Sequence, residues 1–286
     1  MKKRTFKTMI LLIVLLFALS SCLADNTKTT GQKISPGIFG VNLAGAEFGE
    51  VMPGIFNQDY TYPTVEELDY FKSKGLTLIR LPFRWERVQP VLGTELDKKE
   101  LQRLKDFVTE ASKRDIYVLL DLHNYARYVV KGKEIRIGSS PVTTSHIKDL
   151  WAKLAAEFKD YQNIWGYGIM NEAHDMANKT QWFKIAQAVI NGIRSNDTKT
   201  AIVVGGDSWS SAERWQEESD NLKNLIDPND NLIFEAHVYF DKDASGQYLG
   251  SYDDEEASPN TGVERVQPFI DWLKNNDKRG FIGEYG

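Results

Sequence analysis

A single cysteine in 286 residues, Cys22, leaves this chain without an intramolecular disulfide. Its fold must rest on a buried core, and 42% apolar residues over this length are enough for one large domain. A basic surface is missing too. The net charge is -5, and once the four cations ahead of Cys22 (Lys2, Lys3, Arg4 and Lys7) are set aside the remainder carries -9. An acidic body excludes nucleic acid as a partner, and with nothing to hold a polyanion by charge it points to a neutral polymer. No glycine-rich phosphate loop follows the first β-type run, which removes the nucleotide-binding reading of an α/β chain. The acidic run Asp253–Glu256 lacks the alternating ligands of a calcium loop and reads as a solvated segment. No metal and no cofactor is implied.

The apolar stretch Met9–Leu19 falls short of a membrane span and follows Lys2, Lys3 and Arg4, so it reads as the core of an export signal. Directly after it, Leu19-Ser20-Ser21-Cys22 resembles the lipobox of bacterial lipoproteins, whose cysteine is acylated. Residues 1–22 are therefore expected to be a lipoprotein signal peptide and Cys22 an anchor to a bacterial membrane. Residues 23–36, with the polar tract Asp25–Lys33, read as a tether. Residues 37–286 are left for one globular domain, expected to be a monomer.

In that domain short β-type runs alternate with helical patterns. The strand candidates are Ile38–Leu43, Leu76–Pro82, Ile116–Leu122, Ile164–Met170, Ala201–Gly205, Leu232–Val238 and Gly280–Gly283. Between them Ile147, Leu150, Trp151, Leu154, Ala155 and Phe158 form an apolar stripe at helical spacing. Thr64 with Glu67 has the pattern of a capping box, Gly75 stands where that helix should stop, and Asp97 with Glu100 opens another. Repeated βα units give a doubly wound sheet or a closed barrel, and the missing phosphate loop favours the barrel.

A parallel barrel collects its active site at the C-terminal strand ends. Here those ends are polar: Arg80-Leu81-Pro82-Phe83, Asp121-Leu122-His123-Asn124, Asn171-Glu172, His237-Val238-Tyr239 and Glu284-Tyr285. A single strand-end glutamate is ordinarily a solvated or salt-bridged residue. Five such ends are more desolvated polar groups than an inert barrel mouth needs. Glu172 and Glu284 end their runs in equivalent settings, which predicts a carboxylate pair facing one cleft. Cleaving the acetal between two sugars needs such a pair, one carboxyl to protonate the leaving oxygen and one to meet the cationic carbon. The pair argues for a glycosidase.

The segments Ile79–Pro82, Asp121–Arg127, Gly168–Asp175, His237–Tyr239 and Gly283-Glu284, in that order, resemble glycoside hydrolase family 5, the cellulase family of retaining (β/α)8 barrels. Gly40–Gly45 and His123–Arg127 further resemble its endo-β-1,4-glucanase branch. Ala173 departs from the pattern, since proline commonly follows the acid/base glutamate there. The resemblance implies Glu172 as acid/base and Glu284 as nucleophile. Arg80 would keep Glu284 ionised and the Tyr239 hydroxyl would hold it, while Asn171 would bond the sugar 2-hydroxyl. His123 would contact another hydroxyl of that sugar, with Asn124 beside it, and His237 would lie near Glu172. Asp121 and Glu235 share a strand face with these histidines and read as inner-barrel hydrogen-bond partners.

Of seven tryptophans, Trp151 and Trp272 fall on helical stripes and read as core, whereas Trp85 and Trp209 follow strands near the cleft and are either sugar platforms or core. Gly286 comes two residues after Glu284, so the barrel is expected to be truncated after strand 7, without its eighth βα unit. The expected activity is that of a retaining endo-β-1,4-glucanase acting on a β-glucan polysaccharide or oligosaccharide. A β-mannanase or mixed-linkage glucanase of the same family, or a surface glycan-binding barrel without catalysis, are the alternatives.

Overall fold

A computed structural model describes residues 38–286. The expected signal peptide, Cys22 and the tether lie outside the described residues. The chain passes through β1 (Gly40–Asn42), β2 (Leu78–Phe83) and β3 (Tyr117–Leu122), then a hairpin of β4 (Arg127–Val130) and β5 (Lys133–Arg136). It continues through β6 (Ile164–Gly168), β7 (Ala201–Gly205), β8 (Leu232–Val238) and β9 (Gly280–Tyr285). Seven of these strands form one sheet in the order β1-β2-β3-β6-β7-β8-β9, every neighbouring pair parallel. Spatial order follows chain order, so each connection steps in one direction, as in a βα barrel. Across the ends of that series the Asn42 side chain donates to the Gly283 carbonyl at 3.0 Å, linking β1 to β9.

All seven expected strands are present. Their bounds shift by at most two residues at either end, as at the first, where only Gly40–Asn42 pairs, and at the last, which runs on to Tyr285. β2 is buried at every residue, because helices cover one face of the sheet and the barrel interior fills the other.

The helix Val65–Ser73 begins with a complete capping box, Thr64 accepting from the Glu67 amide and Glu67 accepting from the Thr64 amide. It ends with the Leu76 amide on the Phe71 carbonyl and the Gly75 amide on the Lys72 carbonyl, with Gly75 at φ +82°. That is a Schellman ending, and it needs the left-handed backbone glycine provides. Helix Lys98–Ser112 is capped by Asp97, which accepts from the Lys99 and Glu100 amides. Glu100 does not answer that cap. It turns into the core, where Tyr60, Tyr62 and Arg103 donate to its carboxylate.

In helix Thr144–Phe158 the whole expected stripe is buried, and Trp151 and Trp272 are core residues. The β4–β5 hairpin was not anticipated. Its two turn residues, Lys131 and Gly132, both have positive φ, so the signal was a short type I′ turn between β-type runs. Among the described residues no helix is long and apolar enough to cross a membrane.

Candidate active site

The polar strand ends converge. β2 contributes Arg80, β3 contributes Asp121 with His123 just beyond it, and the segment after β6 contributes Asn171 and Glu172. β8 contributes Glu235 and His237, Tyr239 follows it, and β9 contributes Glu284. Glu235 and His237 are two residues apart in a strand and so point to the same side. Asn171 is fixed by its amide on the Leu122 carbonyl at 2.8 Å, and the next residue, Glu172, takes φ +43°. Left-handed backbone at a non-glycine residue costs energy and persists only where the surroundings impose it.

Arg80, 2% exposed, organises the floor. Its Nε lies 2.9 Å from Glu235, its Nη1 2.9 Å from Glu284, and its Nη2 3.2 Å from Asp121 and 2.7 Å from the side-chain Oδ1 of Asn171. Burial alone would lower its pKa, but Asp121, Glu235 and Glu284 raise it, so the cation is secure. Glu284 also accepts from the Tyr239 hydroxyl. Burial would raise the Glu284 pKa, yet His237, Arg80 and the Tyr239 hydrogen bond together bring it down to about 2.

The two ring nitrogens of His237 face carboxylates, Nδ1 at 2.8 Å from Glu172 and Nε2 at 3.3 Å from Glu235. Its pKa rises to about 10, because Glu284, Glu172 and Glu235 outweigh the burial that would lower it. The ring is thus an imidazolium between Glu172 and Glu235, with Glu284 3.6 Å from the same Nδ1 that faces Glu172. One polar atom each of Glu172, His237 and Glu284 lie within 4.8 Å of one another. Each offers one ligand atom, a spacing that could hold a metal ion.

On the other side of the pair, Asp121 holds His123 Nδ1 at 2.8 Å, and the Tyr125 hydroxyl lies 3.1 Å from His123 Nε2. The Asn171 amide nitrogen is 3.4 Å from that same His123 nitrogen. On the Glu172 side lies a cavity of about 280 Å³ lined by Trp209, Arg214, Tyr239 and Gln247 among others. Trp209 is 40% exposed and stacks on His174 with centroids 4.4 Å apart and planes 9° from parallel.

One expectation is corrected. Trp85 is no platform: it is fully buried, bonds Gln89 through its indole nitrogen and packs edge-on against Tyr128. The chain turns inward after β2, so its first aromatic residue there fills the core. Asn124 is buried as well, and its amide is spent on the Trp85 amide, Glu86 and the Arg127 carbonyl. It supports the loops around the site and offers nothing to a ligand. Two site residues were missed. Tyr125, whose phenol is pushed up to about 12 by burial and the charges of Glu172 and Glu284, lay unremarked inside a quoted segment. Glu47, its carboxyl raised mainly by burial, accepts from the Gly45 amide at 2.8 Å and lies two residues beyond the motif Gly40–Gly45.

The family model for cellulase (glycosyl hydrolase family 5) matches residues 28–286. Endo-β-1,4-glucanase B of Emericella nidulans is 37% identical over 249 residues, spanning 86% of this chain and 71% of that protein. Among solved structures, endoglucanase Cel5A of Pseudomonas stutzeri in complex with cellobiose is 41% identical with a TM-score of 0.81, over 87% of this chain and 74% of that one. A triple mutant of an endo-β-1,4-glucanase from Xanthomonas axonopodis pv. citri is 42% identical with a TM-score of 0.80, over 87% and 78% of the two chains.

Proposed function

The chain belongs to glycosyl hydrolase family 5, the cellulase family, and from that premise we propose that it is a retaining endo-β-1,4-glucanase in which Glu284 attacks and Glu172 moves the proton. One observation carries the reading: polar atoms of two strand-end glutamates lie within 4.8 Å, with one of the two held ionised. Retaining enzymes place their carboxyls about 5–5.5 Å apart, whereas inverting ones need about 6.5–9.5 Å to admit a water. Glu284 is the nucleophile because Arg80 and Tyr239 fix its carboxylate and its pKa of about 2 keeps it anionic. It displaces the leaving oxygen at the anomeric carbon while Glu172 donates a proton to that oxygen. Water then attacks the glycosyl–Glu284 ester, giving its proton to Glu172 and regenerating both groups.

The asymmetry of the cleft supports a direction for the glucan. Asn171 and His123 lie where the sugar being cleaved would sit, and the Asn171 amide supplies a donor for its 2-hydroxyl. The cavity beside Glu172 accepts the leaving portion, with Trp209 as its stacking face. A β-1,4-glucan suits this layout, and the Pseudomonas stutzeri relative is known in complex with cellobiose. Glu172→Gln and Glu284→Gln should each remove nearly all hydrolysis of carboxymethylcellulose while the far-ultraviolet circular dichroism stays unchanged, and the first product seen by NMR should be the β-anomer. Wild-type rates in either variant, or an α-anomer, would overturn the assignment.

Export and acylation of Cys22 complete the proposal, resting on Leu19-Ser20-Ser21-Cys22 and the apolar Met9–Leu19. Cys22→Ala should shift the enzyme from the bacterial membrane fraction to the soluble one. Continued membrane association without uptake of labelled fatty acid would refute the anchor.

A further inference from the structure

The loop between β8 and helix Thr261–Asn275 has a buried carboxylate that the chemistry above does not use. Asp241 is 1% exposed and pairs with no cation. It spends its oxygens on a tight turn instead: Oδ1 accepts from the Gly246 amide at 3.0 Å, and Oδ2 from the Ser245 hydroxyl at 2.8 Å and the Gln247 amide at 3.1 Å. The chain entering the loop is held from behind, since Arg265 donates to the carbonyls of Tyr239 and Asp241.

The turn so fixed lies flat on an aromatic ring. A Cβ at Gly246 would stand 2.9–3.1 Å from three ring carbons of Tyr239, and Gly246 has φ +77°. Only glycine permits both the backbone angle and that approach. The far end of the same ring carries the hydroxyl that donates to Glu284.

Resting on the reading of Glu284 as nucleophile, we infer that Asp241 and Gly246 are positioning residues that press the Tyr239 ring against Glu284, so that a turn in the wall of the cavity beside Glu172 sets the geometry of the attacking carboxylate. Asp241 acts through Gly246, Gly246 through the ring, and the ring through its hydroxyl. The groups facing Glu284 are Arg80, His237 and Tyr239, with His123, Glu172 and Glu235 next to them. Of these only Tyr239 is held by the turn, so loosening the turn should weaken one hydrogen bond to Glu284 and leave the ion pairs in place.

The test is a double-mutant cycle on the full chain, with kcat, KM and pH profiles measured on a soluble glucan. Asp241→Asn and Gly246→Ala should each lower kcat about 10-fold or more with little change in KM, since small displacements of a reacting group are costly. Each should also move the acid limb of kcat/KM upward, because a carboxylate that loses a donor is protonated more easily. In a Tyr239→Phe background both substitutions should have no further effect on kcat. Additive losses there would overturn the inference, as would wild-type kcat in both single variants. Ser245→Ala removes one bond to Asp241 without backbone strain and should give a smaller loss of the same kind, so a folding failure of Gly246→Ala leaves the cycle intact. Should Glu284→Gln retain activity, the nucleophile assignment fails first, and that outcome is separate from an additive cycle.

Discussion

His237 illustrates how one side chain is made to serve two carboxylates. Buried and in contact with Glu172 and Glu235, it is held as a cation with its pKa raised from 6.5 to about 10, while Glu284 is held as an anion down to about 2. A raised pKa adds stability that is fully present below the unfolded value and is lost as pH climbs through the folded one. The contribution of His237 should therefore be complete below pH 6.5 and gone above about 10. That of Glu284 runs the other way, complete above 4.5 and lost as pH falls toward about 2. Melting temperature should thus decline between pH 6.5 and 10, and His237→Gln should flatten that decline while lowering stability at neutral pH. An equal alkaline decline in variant and parent would show that the imidazolium is not the source. Most of these residues were legible in the sequence because chemistry at strand ends is expressed as polar residues where an apolar run stops. Trp85 as a platform fails for a related reason: a residue after a strand can turn outward to the cleft or inward to the core, and identity alone does not say which.

At the scale of elements, stability depends on local signals that the sequence displays openly. Thr64 and Glu67 close the start of helix Val65–Ser73, and Gly75 closes its end with nothing within 4 Å of where its Cβ would be. Thr64→Ala should cost about 1 kcal/mol through the lost cap. Gly75→Ala should cost about 1–2 kcal/mol through left-handed backbone strain alone, since no steric clash is added. Denaturant unfolding would measure both, and a neutral Gly75→Ala would mean that the turn relaxes to another form. Capping boxes and glycine stops are legible because their bonds span a few residues. Glu100 shows the limit of such reasoning. It sits at the position of a cap partner, yet Tyr60 and Tyr62 are bonded to it from about 40 residues away. Long-range partners of that kind leave no trace in a local window, and the β4–β5 hairpin was passed over because its strands are only four residues each.

Across the whole sheet, Arg80 is the residue on which separate strands depend. Its guanidinium rises from β2 and reaches Asp121 on β3, Asn171 after β6, Glu235 on β8 and Glu284 on β9. Those partners are up to 204 residues apart in sequence, so a single planar fork joins the first half of the barrel to its last strand. The bond from Asn42 to the Gly283 carbonyl works at the same junction, one residue before Glu284. Removing the fork takes the guanidinium charge from Asp121 and Glu235, both nearly inaccessible to water, and leaves them only His123 and His237 as partners. Breaking a buried ion pair on one side typically costs about 3–5 kcal/mol, more than the pair itself is worth, because the surviving charge stays desolvated. Arg80→Leu should therefore destabilise by about that amount and also abolish glucan hydrolysis, since Glu284 loses both its position and a neighbour that keeps it ionised. Arg80→Lys separates the two effects. It keeps the positive charge but a point donor cannot reach every partner at once, so much of the stability should return while activity stays low. Full activity in Arg80→Lys would mean that charge alone, and not the fork that ties the strands together, prepares the nucleophile.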